Sequence, residues 1–406
     1  MKALSIQAQE ALSRIGSADI VVGIPSYNSV KTIGRVVAQV ASGLSTYFGD
    51  KDCLVLVSDG GSTDETLQVA SNLQIPSGLK LITFAYQGVS GKGTAVKAIF
   101  EAAIRVGADS VAMVDSDLQS ITPEWIKLLI GPTLSGVDLM TPKYIRHKYD
   151  GTITNQLCYP LTRALYGLRI RQPIGGDFGL SGRLVNRLIE SRLWESPYVP
   201  RFGIDIFITS SAAAERFVVE EADLGAKIHA TKDPADHLAS MFREVAGSAF
   251  TCMQEYEIAW RKVKGSGPIP LRRDGVERID PTPVAASATR MAEQFRTSYA
   301  QLSALQSTLS KDLRHQLDSL AASDTEELVI PTAIWCKTVY EVASKFKTSH
   351  DTVREALLEG LRSVWIGRVA SFVSETAYMS NEEAETVVEN DATHFERMKN
   401  ELVHIY

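Results

Sequence analysis

Four short apolar runs, the first three each followed by a segment of helical period, constrain this chain more than any other feature. The first is 18–23 (ADIVVG) with Ile24, ending at Pro25; the others are 53–57 (CLVLV), 80–84 (KLITF) and 110–114 (SVAMV). Helical spacing of apolar residues follows from about Thr32 (Ile33, Val36, Val37, Val40), from about Thr63 and from about Gly93. A strand that is apolar at every position has no face for solvent and needs cover on both sides. Strands of this kind alternating with helices predict an α/β fold, a mainly parallel sheet flanked by helices. Beyond residue 137 the pattern loosens: 138–142 reads as a further strand, and 157–168 as a helix interrupted at Pro160. Residues 202–216 and 237–263 also carry helical periodicity. The stretch 264–283 is rich in Gly, Pro and charge, and 285–406 reads as almost wholly helical. The expected organisation is an α/β domain over 1–263, a linker over 264–284 and a helical C-terminal region over 285–406. Leu357, Leu358, Leu361 and Val364 form a stripe that reads as core or interface.

Composition narrows the function classes. With 406 residues, 45% hydrophobic and 22% charged, the chain can build a sizeable core without staples. A net charge of −6 and no long basic run exclude nucleic acid as the main partner, because neutralising phosphates takes clustered Lys and Arg. Cys53, Cys158, Cys252 and Cys336 are scattered, which reads as reduced thiols rather than a disulfide framework. The opening MKALSIQAQEALSRIG is amphipathic rather than a signal peptide, and no run approaches the roughly 20 apolar residues of a membrane helix. A cytoplasmic protein is expected.

Three motifs sit where strands end, the place where open α/β sheets bind ligands. Asp59-Gly60-Gly61-Ser62-Thr63-Asp64-Glu65-Thr66 follows the second strand. Its glycines let backbone approach a ligand and Asp59 can accept from a ribose or base; the plainer reading is a turn and a helix cap. Gly91-Lys92-Gly93-Thr94 lacks the spacing of a P-loop, but a lysine opening a helix can meet a diphosphate. Val114-Asp115-Ser116-Asp117 places two carboxylates on one side of an extended segment, a donor set suited to a hard divalent ion. By itself each motif is common, and a turn, a solvated loop or a helix cap accounts for it.

Their order is distinctive. Strand-end DGGSTD, then GKG, then a strand running into DSD resembles the GT-A glycosyltransferase fold, Rossmann-like with flanking helices. Ile24-Pro25-Ser26-Tyr27-Asn28 is similar to the P-x-x-N opening of family 2-like enzymes, although Ser29 stands where many of those carry an acid. Gln172-Pro173-Ile174-Gly175-Gly176-Asp177-Phe178, Gly203-Ile204-Asp205-Ile206 and Gly225-Ala226-Lys227-Ile228-His229 resemble, in order, motifs of one retaining branch. That branch comprises the glucosylglycerate, glucosyl-3-phosphoglycerate and mannosylglycerate synthases. The resemblance covers about 19–250 and leaves the helical C-terminal region outside it.

It implies the following roles. Pro25, Ser26, Tyr27, Asp59, Gly60, Lys92, Asp115, Ser116, Gly175 and Gly176 contact the nucleotide-sugar, and Asp117 and His229 ligate a divalent cation (Mg²⁺, Mn²⁺ or Co²⁺). Asp205, Asp177 and Lys92 carry the chemistry. Gly151, Thr152, Ile153 and Thr154, with Asp205, meet the acceptor. In the phosphoglycerate-using enzymes this stretch reads Gly-Arg-x-Thr, and Thr152 replaces the arginine that grips the phosphate. The expected reaction is therefore transfer of a hexose, glucose favoured, from a UDP-, GDP- or ADP-sugar to D-glycerate. His147, Lys148 or Arg163 standing in for the lost charge keeps 3-phosphoglycerate open, and a mannosylglycerate synthase remains open too. A polyprenyl-phosphate sugar transferase shares the early motifs but needs a membrane anchor. From another class, a non-catalytic nucleotide-sugar sensor would bind without turnover. The helical region is expected to pack on the catalytic domain or to build a homodimer or larger homo-oligomer.

Overall fold

The computed structural model describes residues 2–228, 238–323 and 327–406, and all statements below concern these. The expected alternation is present. Strand β1 (Ile20–Ser26) leads to helix α2 (Ile33–Tyr47), β2 (Cys53–Asp59) to α3 (Thr66–Ser71), and β3 (Lys80–Ala85) to α4 (Lys92–Val106). β4 (Ser110–Met113) leads to α5 (Pro123–Ile130), and α1 (Ile6–Ile15) precedes them all. Every residue of β1, β2 and β4 is buried, the burial on both faces that their unbroken apolar runs demand. Ile24, Val36, Val37, Val40, Val55, Val57 and Trp125 belong to one continuous core under this sheet.

The remaining strands are β5 (Leu139–Ile145), β6 (Phe178–Ser181), β7 (Val219–Ala226) and β8 (Leu271–Arg272). The sheet runs β3-β2-β1-β4-β6-β5-β7-β8. It is parallel except at β6, which lies antiparallel to both β4 and β5. Met113 at the exit of β4 pairs with Phe178 at the entry of β6. The architecture is thus the mostly parallel, helix-flanked sheet expected of a GT-A fold.

Organisation along the chain differs from the expected boundaries. One compact unit holds 1–145, 170–230 and 269–281; the other holds 146–169, 231–268 and 282–406. Two causes are visible. Part of the expected linker, 269–281, carries β8, which pairs with β7 and has Arg272 bonded to Glu220. Residues 146–169 carry helix α6 (Tyr159–Tyr166), whose Arg163 is held by Glu389 and Glu396 of the C-terminal helix Asn381–Ile405.

The second unit is helical. It includes Ala239–Glu255, Ala288–Tyr299, Lys311–Ala322, Thr332–Thr348, Asp351–Glu375 and Asn381–Ile405. Leu357, Leu358, Leu361 and Val364 are fully buried there. All four cysteines are free and buried. No helix among the described residues is long and apolar enough to cross a membrane.

Candidate active site

At the carboxyl ends of β1 and β2 the sequence motifs build one another. The Asp59 carboxylate accepts from Ser26 Oγ (2.9 Å), Gly61 N (2.9 Å), Ser62 N (2.7 Å) and Ser62 Oγ (2.6 Å). A carboxylate has about four acceptor positions, so Asp59 organises its own turn instead of presenting a bare carboxylate to a nucleotide. Asn28, at a positive φ of 49°, accepts from Thr63 N and donates its backbone N–H to Ser62 Oγ. The P-x-x-N segment and the DGGST turn are therefore one cradle. Its open side carries Tyr27, which is exposed, and Gly60, where a Cβ would stand 3.3 Å from the Tyr27 ring and 3.2 Å from the Tyr86 hydroxyl. At the start of α3 the N-cap position is Glu65, in the left-handed region, and the carboxylate of Asp64 before it takes Thr66 N. Ser29 and Ser116 share a hydrogen bond of 2.8 Å, which joins the ends of β1 and β4.

The helix opening at Gly91-Lys92-Gly93 does not offer its amides to a phosphate. Gly93 N donates to Arg201 O and Thr94 N to Pro200 O, and a Cβ on Gly93 would lie 1.9 Å from Val199 O. Packing against 199–201 consumes these groups and leaves the side chain of Lys92 projecting from the start of α4. Its Nζ lies 2.8 Å from Asp115 Oδ1 and 3.1 Å from Asp205 Oδ2. Asp205 stands in the first turn of α8 (Ile204–Ala214), where the helix dipole favours a carboxylate.

Around these two lies a network of three carboxylates and two ammonium groups. Asp115 N donates to Asp177 Oδ1 at 2.8 Å, and the Tyr144 hydroxyl donates to Asp177 Oδ2. Lys227, one residue past β7, reaches Asp115 Oδ2 (2.9 Å), Asp177 Oδ2 (2.9 Å) and the Gly175 carbonyl (2.8 Å). At Gly176, with φ +90°, a Cβ would stand 2.3 Å from Asp115 Oδ2, so only glycine lets the loop approach. Burial opposes the charge on Asp115, but Lys227 and Lys92 outweigh it and hold the carboxyl far below the usual range. Burial likewise opposes the charge on Lys92, and Asp115 and Asp205 push it up. Asp177 and Asp205 are raised, chiefly by burial.

Of the residues expected in the site, the fold joins Lys92, Asp115, Gly175, Gly176, Asp177 and Asp205 directly. Asp117 follows at the end of β4, half-buried, its carboxylate in no ion pair or hydrogen bond among the described residues. His229, expected to share the metal with Asp117, lies outside the described residues. No group of three metal-binding side chains occurs among the described residues. Sequence reasoning missed Lys227 and Tyr144. Only the preceding strand motif, ending at His229, pointed near Lys227.

The expected acceptor residues 151–154 belong to the second unit. Gly151 takes a positive φ of 70°, and the chain turns helical at Thr152, passing through a π-helical turn at Thr154–Cys158 before α6. Thr152 is buried and its hydroxyl has no hydrogen-bond partner. Of the three cations expected as stand-ins for the missing arginine, two are committed elsewhere. Arg163 is bonded to Glu389 and Glu396, and Lys148 Nζ donates to the carbonyls of Thr376, Ala377 and Met379.

Residues 21–189 match the Glycosyl transferase family 2 model. Glucosyl-3-phosphoglycerate synthase of Mycolicibacterium smegmatis is 26% identical over 241 residues, covering 55% of this chain and 74% of the relative. Its counterpart from Petrotoga mobilis is 24% identical over 261 residues, covering 58% of this chain and 74% of the relative. A solved glucosyl-3-phosphoglycerate synthase from Mycobacterium tuberculosis, in complex with Mn²⁺, UDP-glucose and phosphoglyceric acid, is 26% identical with a TM-score of 0.46. That comparison covers 62% of this chain and 85% of the other. The family match runs from β1 to the end of α7 (Gly182–Ile189) and so takes in Lys92, Asp115 and Asp177; over this part the chain is similar to GT-A-fold glycosyltransferases of the glucosylglycerate synthase type.

Proposed function

We propose that this enzyme transfers glucose, with retention of anomeric configuration, from a nucleoside-diphosphate glucose to D-glycerate. The observation that carries the choice of acceptor is Thr152 in place of an arginine, with Arg163 and Lys148 both bonded elsewhere. A phosphate buried without a permanent cation loses its strongest recognition contact, whereas a neutral hydroxyl end needs none. The relatives' name favours the competing reading, 3-phosphoglycerate as acceptor.

A divalent cation fits one residue in particular. Both Asp115 oxygens are engaged by lysines, so Asp117 is the carboxylate at the end of β4 left to bind a hard ion. His229 is the proposed second ligand. When bound, such an ion neutralises charge on the departing diphosphate. The chain's own groups do the rest. Lys92, presented at the start of α4, turns from its carboxylates to the diphosphate oxygens and stabilises the leaving group. Asp205 and the Gly175-Gly176 backbone orient the sugar, and the acceptor hydroxyl attacks on the face the diphosphate leaves. A diphosphate oxygen takes the acceptor proton, so positioning and electrostatics carry the rate without a strong protein base.

The deciding experiment crosses UDP-, GDP- and ADP-glucose and GDP-mannose with D-glycerate and 3-phosphoglycerate, in Mg²⁺ or Mn²⁺. Higher kcat/KM on D-glycerate supports the proposal; preference for 3-phosphoglycerate overturns the acceptor. Retained turnover in EDTA would sink the metal assignment, for which a loss of about 100-fold or more is expected. Binding of a nucleotide-sugar with no turnover on any acceptor revives the sensor.

A further inference from the structure

Lys227 is 7% exposed, its amine buried between the carboxylates of Asp115 and Asp177. Burying an ammonium is unfavourable unless it is paired and hydrogen-bonded. Here its three protons meet three acceptors at 2.8–2.9 Å: Asp115 Oδ2, Asp177 Oδ2 and Gly175 O. These acceptors come from two separate places, the end of β4 and the glycine loop that enters β6. Lys227 therefore sets the distance between them. The loop backbone is pressed against the same carboxylate, since a Cβ at Gly176 would fall 2.3 Å from Asp115 Oδ2.

Lys92 and Lys227 divide Asp115 between them, one on each oxygen. Their circumstances differ in a way that assigns different tasks. The Lys92 side chain, at the first position of α4, is 16% exposed, whereas that of Lys227 is 5% exposed and its protons are already used. The more open ammonium can leave its carboxylates for a ligand. The deeper one stays, and holds Asp115 in place when Lys92 goes.

We propose that Lys227 is a positioning residue for sugar transfer: it locks the Gly175–Asp177 loop to Asp115, presetting the loop backbone against the donor's sugar. It does not touch the nucleotide. The inference rests on reading this site as the nucleotide-sugar site. Its consequence is selective: loss of Lys227 weakens what depends on the sugar and spares what depends on the nucleoside diphosphate.

The test compares full-length wild type, Lys227→Met and Lys227→Arg by calorimetric binding of UDP and of UDP-glucose, by kcat and KM, and by thermal melting. UDP is replaced by GDP or ADP if the wild type selects that base. For Lys227→Met, UDP affinity should stay within about twofold while UDP-glucose binding weakens about tenfold and kcat falls about 100-fold. Lys227→Arg keeps the charge and should recover part of kcat. Equal weakening of UDP and UDP-glucose in either folded variant, or an unchanged kcat, overturns the proposal. If Lys227→Met does not fold, the Arg variant decides: a loss confined to UDP-glucose supports the role, and a uniform loss refutes it. Failure of the wild type to bind any nucleotide-sugar would instead defeat the functional reading, and this inference with it.

Discussion

Asp115 and Asp117 are chemically alike and two residues apart, but the sheet gives them opposite circumstances. Asp115 has a lysine on each oxygen and gives its backbone N–H to Asp177. Asp117 is half-buried and in no ion pair or hydrogen bond among the described residues. Asp117→Asn should therefore leave stability within about 0.5 kcal/mol, a change readable by urea unfolding. The same variant should lower metal-dependent transfer about 100- to 1000-fold and abolish calorimetric Mn²⁺ binding. Near-normal turnover would remove Asp117 from the metal site. A lone DSD could not reveal this division of labour, because the lysines that create it lie 23 residues before Asp115 and 112 after it. In sequence, Lys227 is indistinguishable from a solvated charge at a strand end. What makes it a buried clamp is the sheet, in which β7 runs parallel to β5 and carries Lys227 past its end to the carboxylates of Asp115 and Asp177.

Among elements, α4 shows how a motif can be structural for a reason other than its apparent one. Glycines beside a helix-opening lysine suggest amides cradling a phosphate. Here they let the helix start pack against 199–201, which fixes the direction of Lys92. Gly93→Ala would place a Cβ 1.9 Å from the Val199 carbonyl, and backbone has little room to yield. We expect a loss of about 1–3 kcal/mol in unfolding free energy. A fall in kcat larger than that in folded fraction should accompany it, because Lys92 moves with the helix; a drop in stability with unaltered kcat would refute the link. The strands differ in how plainly they can be read. β1, β2 and β4 are buried on both faces and announce themselves as unbroken apolar runs. β7 interrupts its pattern with Glu220, Glu221 and Asp223, which are tolerated because Arg272, Arg171 N and Arg273 meet them. β8 has only two residues, too few for any period to show.

For the whole molecule, the boundaries were the least legible feature, because each unit is assembled from distant segments. Composition correctly marks 285–406 as helical, but nothing local shows that 146–169 belongs with it. Arg163 is the clearest tie: its side chain is 5% exposed and meets Glu389, Thr393 and Glu396 some 230 residues away. Arg163→Met should cost about 1–3 kcal/mol, less than a fully buried pair because Glu389 is partly solvated. Chemical denaturation followed by Trp335 or Trp365 fluorescence would measure this, while nucleotide affinity of the sheet unit should be unchanged.

The antiparallel entry of β6 has a wider consequence. Because Met113 and Phe178 are hydrogen-bonded neighbours, Asp115 and Asp177 meet although they are 62 positions apart. The chain between them is a closed excursion whose two ends are stapled by the sheet itself. Doubling the length of such a loop adds only about 0.6 kcal/mol of closure entropy. The excursion also carries α5 and the sheet strand β5, so only its exposed turns can be lengthened at that cost. Insertions confined to those turns would leave the meeting of Asp115 and Asp177 unchanged.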